Sequence, residues 1–235
     1  MPAESNPPLH ARPTHHHTTP RLILRTTRIT DAPSFIAVTH DPLNSPFDGV
    51  VGATISPDVQ AQKLADQVGS TARGENAFFV VILKPDQYIP DGVEHLKVDD
   101  GYLIGMTGFN SFPREKWLVG NDEEVLVGDT GVLIDHHFTR KGYAIEAFEK
   151  VVEIGFYDLG CGVMFLETNA INIPFRNMMA ALGLGMGVKG EVRQGAPFQE
   201  IEDVSVWKFG KEEWEGLKEG MKRNGKWFLE KYMLG

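Results

Sequence analysis

Apolar and polar residues alternate through RLILRTT, from Arg21, and predict an early strand. Asp31 then precedes APSFIAVTH, whose spacing suits a short capped helix. A second helix fits SPDVQAQKLADQV, with Ser56 as N-cap, Pro57 at the first helical position and Val59 at the third. AFFVVILK (77–84) is a continuous apolar run of β-formers and reads as a buried strand. A polar loop with Pro85, Pro90 and Gly92, too long for a tight hairpin turn, leads to its expected partner, GYLIGMTGFNSF (101–112).

VLVGDTGVLI (125–134) is the next strand, and TRKGYA then joins it to a helix. That helix sets Ala144, Ala147, Phe148, Val151 and Val152 on one side, with Glu146, Glu149, Lys150 and Glu153 opposite, Glu146 and Lys150 forming an i,i+4 pair. Gly160 ends it, and CGVMFLETN (161–169) is a buried strand expected to run parallel to the one before, because the helix supplies the crossover. IPFRNMMAALGL follows as a helix with Asn172 as N-cap and Pro174 in its first turn. GVKGEVRQG and IEDVSVWKF read as two late antiparallel strands. Lys211 to Gly235 reads as a terminal helix interrupted near Gly220 and Gly225. Residues 1–19, rich in Pro, His and Thr without periodicity, are expected to be a disordered tail.

Composition narrows the class. The 235 residues fit one elaborated domain, and 42% apolar with 10% aromatic residues can form a substantial core. No stretch approaches the roughly 20 apolar residues that span a bilayer, and the first residues carry no apolar leader segment. The single Cys161 forms no internal disulfide, suits a reducing compartment and reads as a small core residue. The expectation is a cytoplasmic or nuclear protein with no membrane partner. Net charge is −9, and between Asp86 and Asp135 eleven acidic residues meet only Lys97, Arg114 and Lys116. Nucleic acid is a poor partner for such a surface. The segment around Asp122, Glu123 and Glu124 reads as solvated loops or as an acidic rim that attracts a cationic acceptor.

The candidate chemistry gathers at Gly142. A helix that begins at a glycine offers unsatisfied N–H groups and a positive dipole end, and Arg140 and Lys141 add charge beside it. Such a junction can hold a phosphate. No metal is inferred: His15, His16 and His17 lie in the tail, and His136 and His137 beside Asp135 are expected to point apart with no third ligand at useful spacing. No GxSxG or Walker-type motif occurs, and TRKGYA has too few glycines for a dinucleotide turn.

Three segments in this order resemble one known family. They are TPRLILRTTRITDAPSFIAVTHDP, then Thr139-Arg140-Lys141-Gly142-Tyr143-Ala144, similar to an Arg/Gln-x-x-Gly-x-Gly/Ala signature, then ETNAINIPFRNMMAALGLG (167–185). The chain resembles the GNAT superfamily of acyl-CoA N-acyltransferases, and within it the branch of the ribosomal-protein N-terminal acetyltransferases. The resemblance spans about residues 20–215, leaving 216–235 as a C-terminal helical extension. It implies an α/β (α+β) fold: a mixed, mostly antiparallel twisted sheet of about seven strands, helices on both faces, and a central parallel βαβ unit.

The resemblance also implies acetyl-CoA as co-substrate and no metal. Backbone groups of Leu133 and Ile134 would meet the pantetheine arm, and the amides of Thr139, Arg140, Lys141, Gly142, Tyr143 and Ala144 the pyrophosphate. Asn172 would either contact the pantetheine or serve only as a helix cap. An acceptor amine would attack the thioester directly once a base had taken its proton. Asp129 is the expected base, since strand alternation puts it on the face of Val127, Gly131 and Leu133, where relatives often carry glutamate. Asp135 is second and suits a structural cap. Thr139 departs from the family's Arg or Gln, and Phe175 from a small or hydroxyl residue. No tyrosine lies between Tyr157 and Tyr232 to act as an acid. Two functions follow: an N-acetyltransferase acting on a protein N-terminus or small amine, or a non-catalytic acyl-CoA-binding module. The loops around 44–56 and 85–100 are the expected acceptor loops.

Overall fold

The computed structural model describes residues 8–44, 46–47, 55–117, 123–190 and 203–231. Strand β1 is His16–Thr18, β2 Leu22–Thr26, β3 Ala77–Leu83, β4 Lys97–Val98, β5 Gly101–Ser111, β6 Arg114–Lys116, β7 Glu124–Ile134, β8 Val163–Asn169, β9 Val188–Gly190 and β10 Val204–Gly210. The helices are α1 Ala32–Thr39, α2 Pro57–Ala72, α3 Tyr143–Glu153, α4 Ile173–Ala181, α5 Lys211–Arg223 and α6 Phe228–Lys231. One sheet runs in the order β1-β2-β3-β5-β7-β8-β10-β9, with β4 beside β5 and β6 beside β7. The mixed, mostly antiparallel architecture agrees with the sequence reading, and among the described residues ten strands replace the expected seven or so. The surplus comes from β1, β4 and β6, which are two or three residues long and too short to leave a period in the sequence.

Local signals explain the main elements. The Ser56 hydroxyl accepts from Val59 N–H at 3.3 Å with Pro57 inside the first turn, so α2 starts where its cap residues place it. On β3, Phe78 meets Phe35 of α1, while Phe79 turns to the other face and meets Phe109 edge-on. Helices therefore cover both faces of the sheet. On the Phe109 side, α3 and α5 close the core through Phe148, Trp214 and Phe209.

Two expectations change. Part of the 1–19 tail is ordered: β1 pairs with β2, and His15 N–H donates to Thr26 Oγ1 at 2.7 Å. Backbone pairing to a sheet edge needs no hydrophobic period, so composition alone misreads it. The supposed polar side of α3 is also partly buried. Glu146 and Glu149 are fully enclosed, and Glu146 pairs with Arg21 at 2.6 Å rather than with Lys150. Glu153 accepts from Trp214 Nε1 at 2.6 Å and pairs with Lys218. The C-terminal helices cover this face, and α5 passes through Gly220 unbroken. The break comes at Gly225, whose φ of +62° ends the helix.

The feature that positions the site is the parallel pair. β7 and β8 pair only at Val127–Val163, Gly128–Met164 and Asp129–Phe165. Beyond that, β7 continues beside β5 to Ile134 and β8 beside β10 to Asn169. The two strands part like a wedge. Among the described residues no strand pairs with the β8-facing edge of β7 past Asp129.

Candidate active site

The wedge opens into a cleft of about 1050 Å³. Leu133, Ile134, Thr139, Arg140, Lys141, Gly142, Tyr143, Ala144 and Asn172 all line it, so residues spread over forty positions of sequence meet around one cavity. Its floor is the open edge of β7, whose main-chain groups are available to an extended ligand lying along it.

At one end lies the turn before α3. Gly142 caps the helix with φ +81°, and an added Cβ there would run into the Phe228 ring. The N–H groups of Tyr143, Ala144 and Ile145 precede the first intrahelical bond, which Glu146 donates to the Gly142 carbonyl at 3.1 Å. Arg140 is also left-handed, with φ +62°, a conformation that disfavours a side chain. The Thr139 hydroxyl donates back to the His136 carbonyl at 2.9 Å and closes the turn. Lys141 Nζ reaches the His137 carbonyl at 3.3 Å.

The brace behind this turn was not anticipated from sequence. Arg21 donates to Glu146 at 2.6 Å and to the Lys141 carbonyl at 3.0 Å, and its guanidinium lies 4.3 Å from the centre of the Tyr143 ring. Thr19 donates to the same Glu146 carboxylate. Phe228 and Lys231 of α6 also line the cleft, although sequence assigned them to an extension outside the domain. Glu149 holds α6 in place by accepting from the backbone of Phe228 at 2.9 Å and Leu229 at 3.2 Å. Burial nevertheless pushes the Glu149 carboxyl up to about 8, so desolvation outweighs those two donors. Neither the Arg21 brace nor the α6 contact leaves a local pattern, because each joins residues over seventy positions apart.

The other end is built from side chains on the two parted strands. Asp129 shares a face with Gly131 and Leu133 as expected, yet it is not among the residues that line the cleft. Its carboxylate lies 3.4 Å from the Ser111 hydroxyl and 3.5 Å from Asn110 Nδ2, and Asn110 does line it. Among the described lining residues Glu167 is the carboxylate. It sits two positions past Phe165, the residue paired with Asp129, and so shares that face. A Cβ added at Gly131 would meet nothing within 4 Å, which leaves room between the strands for a reacting group. Sequence missed Glu167 because the meeting depends on the parallel register. Its only local signal is a charged residue within the apolar run CGVMFLETN.

Asn172 lines the cleft, but its side chain is engaged as a cap: Oδ1 accepts from Phe175 N–H at 3.2 Å and Nδ2 donates to Thr168 at 3.0 Å. Phe175 packs edge-on against Trp207, an aromatic contact a small residue could not make. Asp135 is the structural cap foreseen from sequence. It accepts from His137 N–H at 3.0 Å and from Asn44 Nδ2 at 2.8 Å, while Asn44 Oδ1 accepts from His136 N–H. Burial raises the Asp135 carboxyl, and the hydrogen bonds from Asn44 and His137 more than reverse this, leaving it below the usual carboxylate range. His136 and His137 do not point apart as expected. A tight turn brings their rings to 3.8 Å, and His136 pairs with Asp41.

Of the expected acceptor loops, 44–56 is described only in part. Asn44, Pro46 and Phe47 line the cleft, and Asn169 Nδ2 donates to the Phe47 carbonyl at 2.8 Å. Asn44 is thus tied to the turn after β7 and Phe47 to the end of β8. No described residue of 85–100 lines the cleft. Asp122 lies outside the described residues, and Glu123 and Glu124 are exposed away from the lining. Among the described residues no helix is long and apolar enough to cross a membrane.

A parted parallel strand pair, a crossover helix with a glycine-capped start, and a cleft running between them are the features of an acyltransferase type of fold. The family model described as "Acetyltransferase (GNAT) domain" matches residues 21–185, and the chain belongs to this family. Solved structures agree in fold. "Apo FdhC- a nucleotide-linked sugar GNAT" is 18% identical with a TM-score of 0.61, over 92% of this chain and 98% of that one. The ribosomal-protein-S5-alanine acetyltransferase from Vibrio fischeri is 17% identical with a TM-score of 0.57, over 85% and 98%. The microcin C7 self-immunity acetyltransferase MccE, solved with acetyl-CoA and AMP, is 9% identical with a TM-score of 0.58, over 81% and 92%. No curated protein matches the sequence.

Proposed function

We propose that the chain is an N-acetyltransferase that moves the acetyl group of acetyl-CoA to a primary amine, a protein N-terminus or a small amine, in a ternary complex. The observation that carries the reading is a single cleft that joins a phosphate-type helix start to a carboxylate across the open edge of β7. Acetyl-CoA supplies the activated acyl group. The amides at 139–144, with Arg140 and Lys141, hold the pyrophosphate, and Leu133 and Ile134 offer the backbone on which the pantetheine lies.

Glu167 accepts the ammonium proton of the acceptor amine, with Asp129 placed behind Asn110 as a secondary acceptor. Attack then forms the C–N bond and breaks the C–S bond, and CoA leaves as the thiol after taking a proton. Most of the rate comes from holding amine and thioester together. No metal takes part in this scheme. Asn44, Pro46 and Phe47 and the residues around Glu167 select the acceptor, and a negative net charge favours a cationic one over nucleic acid. Release of free CoA with a broad amine panel tests the reading, beside a thermal-shift titration with acetyl-CoA. Binding with turnover on at least one amine supports it. Binding with no turnover on any amine assigns the chain to a non-catalytic acyl-CoA module.

A further inference from the structure

We propose that His15, His17 and Asp158 form a binding site for a zinc-class divalent cation, one that fastens the first strand to the end of the crossover helix. The proposal is independent of the acetyl-transfer reading, since none of the three residues lines the cleft. His15 immediately precedes β1 and His17 lies on it, and both rings turn to the same side, where they pack against Phe79. The turn Ile154–Asp158, of π type, extends α3 toward them. One ring nitrogen from each histidine and one Asp158 oxygen lie within 4.8 Å of one another. Three adjacent histidines in a loose tail make a poor chelate. The same residues held on a strand edge, opposite a carboxylate from a helix turn, make a preorganised one.

The second observation is an unmet polar demand. His15 is 4% exposed and packs on Phe79, yet among the described residues neither of its ring nitrogens has a hydrogen-bond partner. His17 Nε2 is likewise buried without one, and its 3.9 Å separation from Asp158 Oδ2 is too long for a hydrogen bond. Buried polar atoms are ordinarily satisfied, and here a single cation between the side chains takes one His15 nitrogen, His17 Nε2 and an Asp158 oxygen at once. Two imidazoles and one carboxylate suit Zn²⁺ and its d-block neighbours rather than Ca²⁺ or Mg²⁺, with a remaining position left to water. The opposing element is Arg12, whose guanidinium lies 2.8 Å from the same Asp158 oxygen and competes for it. The cluster Asp135–His136–His137 is the contrast: its ligand atoms are also close, but Asp135 already accepts from Asn44 and His137, and His136 is paired with Asp41.

The test is Zn²⁺ titration of the full, chelator-stripped chain by calorimetry, with the absorption of the Co²⁺ form reporting ligand geometry. The wild-type chain should take up a single equivalent and gain thermal stability. His17→Gln and Asp158→Asn, at partly exposed positions, should each weaken uptake roughly tenfold or more. Arg12→Ala should tighten it, because the carboxylate is released; a merely structural ion pair predicts no such gain. His136→Gln should leave the equivalent in place. No zinc uptake by the wild-type chain overturns the proposal, as does wild-type affinity in both His17→Gln and Asp158→Asn. His15→Ala is secondary, since that ring is also part of the core.

Discussion

The two ends of the cleft are built by different means. The phosphate end is mostly backbone: the amides after Gly142, two left-handed residues at 140 and 142, and a helix dipole. The proposed reacting end is side chains, with Glu167 of β8 lining a wedge that exists only because the strands part after three pairs and Asp129 of β7 at the last of those pairs. A backbone site travels with a short contiguous segment and depends on glycine at a particular position. A side-chain site depends on register and can move from one strand to its neighbour without changing the cleft. The phosphate end should therefore fail through shape, the reacting end through chemistry.

The largest effect tests the phosphate end. Gly142→Val places a branched side chain at φ +81° and against Phe228. Strain and overpacking together should cost about 2–4 kcal/mol of stability. Thermal unfolding measures the loss, and acetyl-CoA affinity should fall with it. Next comes the reacting end. Glu167→Gln should lower kcat about a hundredfold and leave the KM for acetyl-CoA nearly unchanged, the mark of a lost proton acceptor. Asp129→Asn should lower kcat less. If steady-state kinetics rank the two variants the other way, the reacting end belongs to β7 alone.

A pH experiment separates the supports of the two ends. Glu149 anchors α6 against Gly142, and its folded-state value of about 8 lies above the ordinary 4.5. Between these values the unfolded chain ionises while the folded chain keeps the proton. This group's contribution is therefore fully present below pH 4.5 and is lost as pH rises through about 8. Denaturant unfolding across that window should show the decline, and Glu149→Gln should flatten it without touching the kcat deficit of Glu167→Gln. The smallest effect is at Arg140. Replacing a left-handed arginine by glycine should raise stability by about 0.5–1 kcal/mol, partly offset by the looser unfolded chain. A rise in Tm together with weaker acetyl-CoA binding would show that Arg140 keeps its charge at the expense of strain.

Much of the frame was legible because it rests on local physics. Ser56 and Pro57 start α2, Gly142 opens α3, and the apolar runs 77–84 and 161–169 become buried strands. The parallel relation of β7 and β8 followed from the helix between them. The misreadings share one cause. Glu146 and Glu149 occupy the polar side of an amphipathic helix, and nothing nearby in the chain says that Arg21 and the backbone of α6 will cover them. His15 and His17 sit in a segment without periodicity and are ordered by hydrogen bonds to β2 that any residue type can make.

The amino-acid sequence by itself determined the order of the main elements, the Ser56 and Asn172 caps, the family, and the glycine turn that can hold a phosphate. Those depend on contacts within a few residues, where spacing along the chain is spacing in space. Tertiary structure alone decided which carboxylate faces the cleft, what braces the turn from behind, and that His15, His17 and Asp158, far apart in the chain, meet at one place. Each joins residues brought together by sheet register and helix packing, and no period along the chain records that distance.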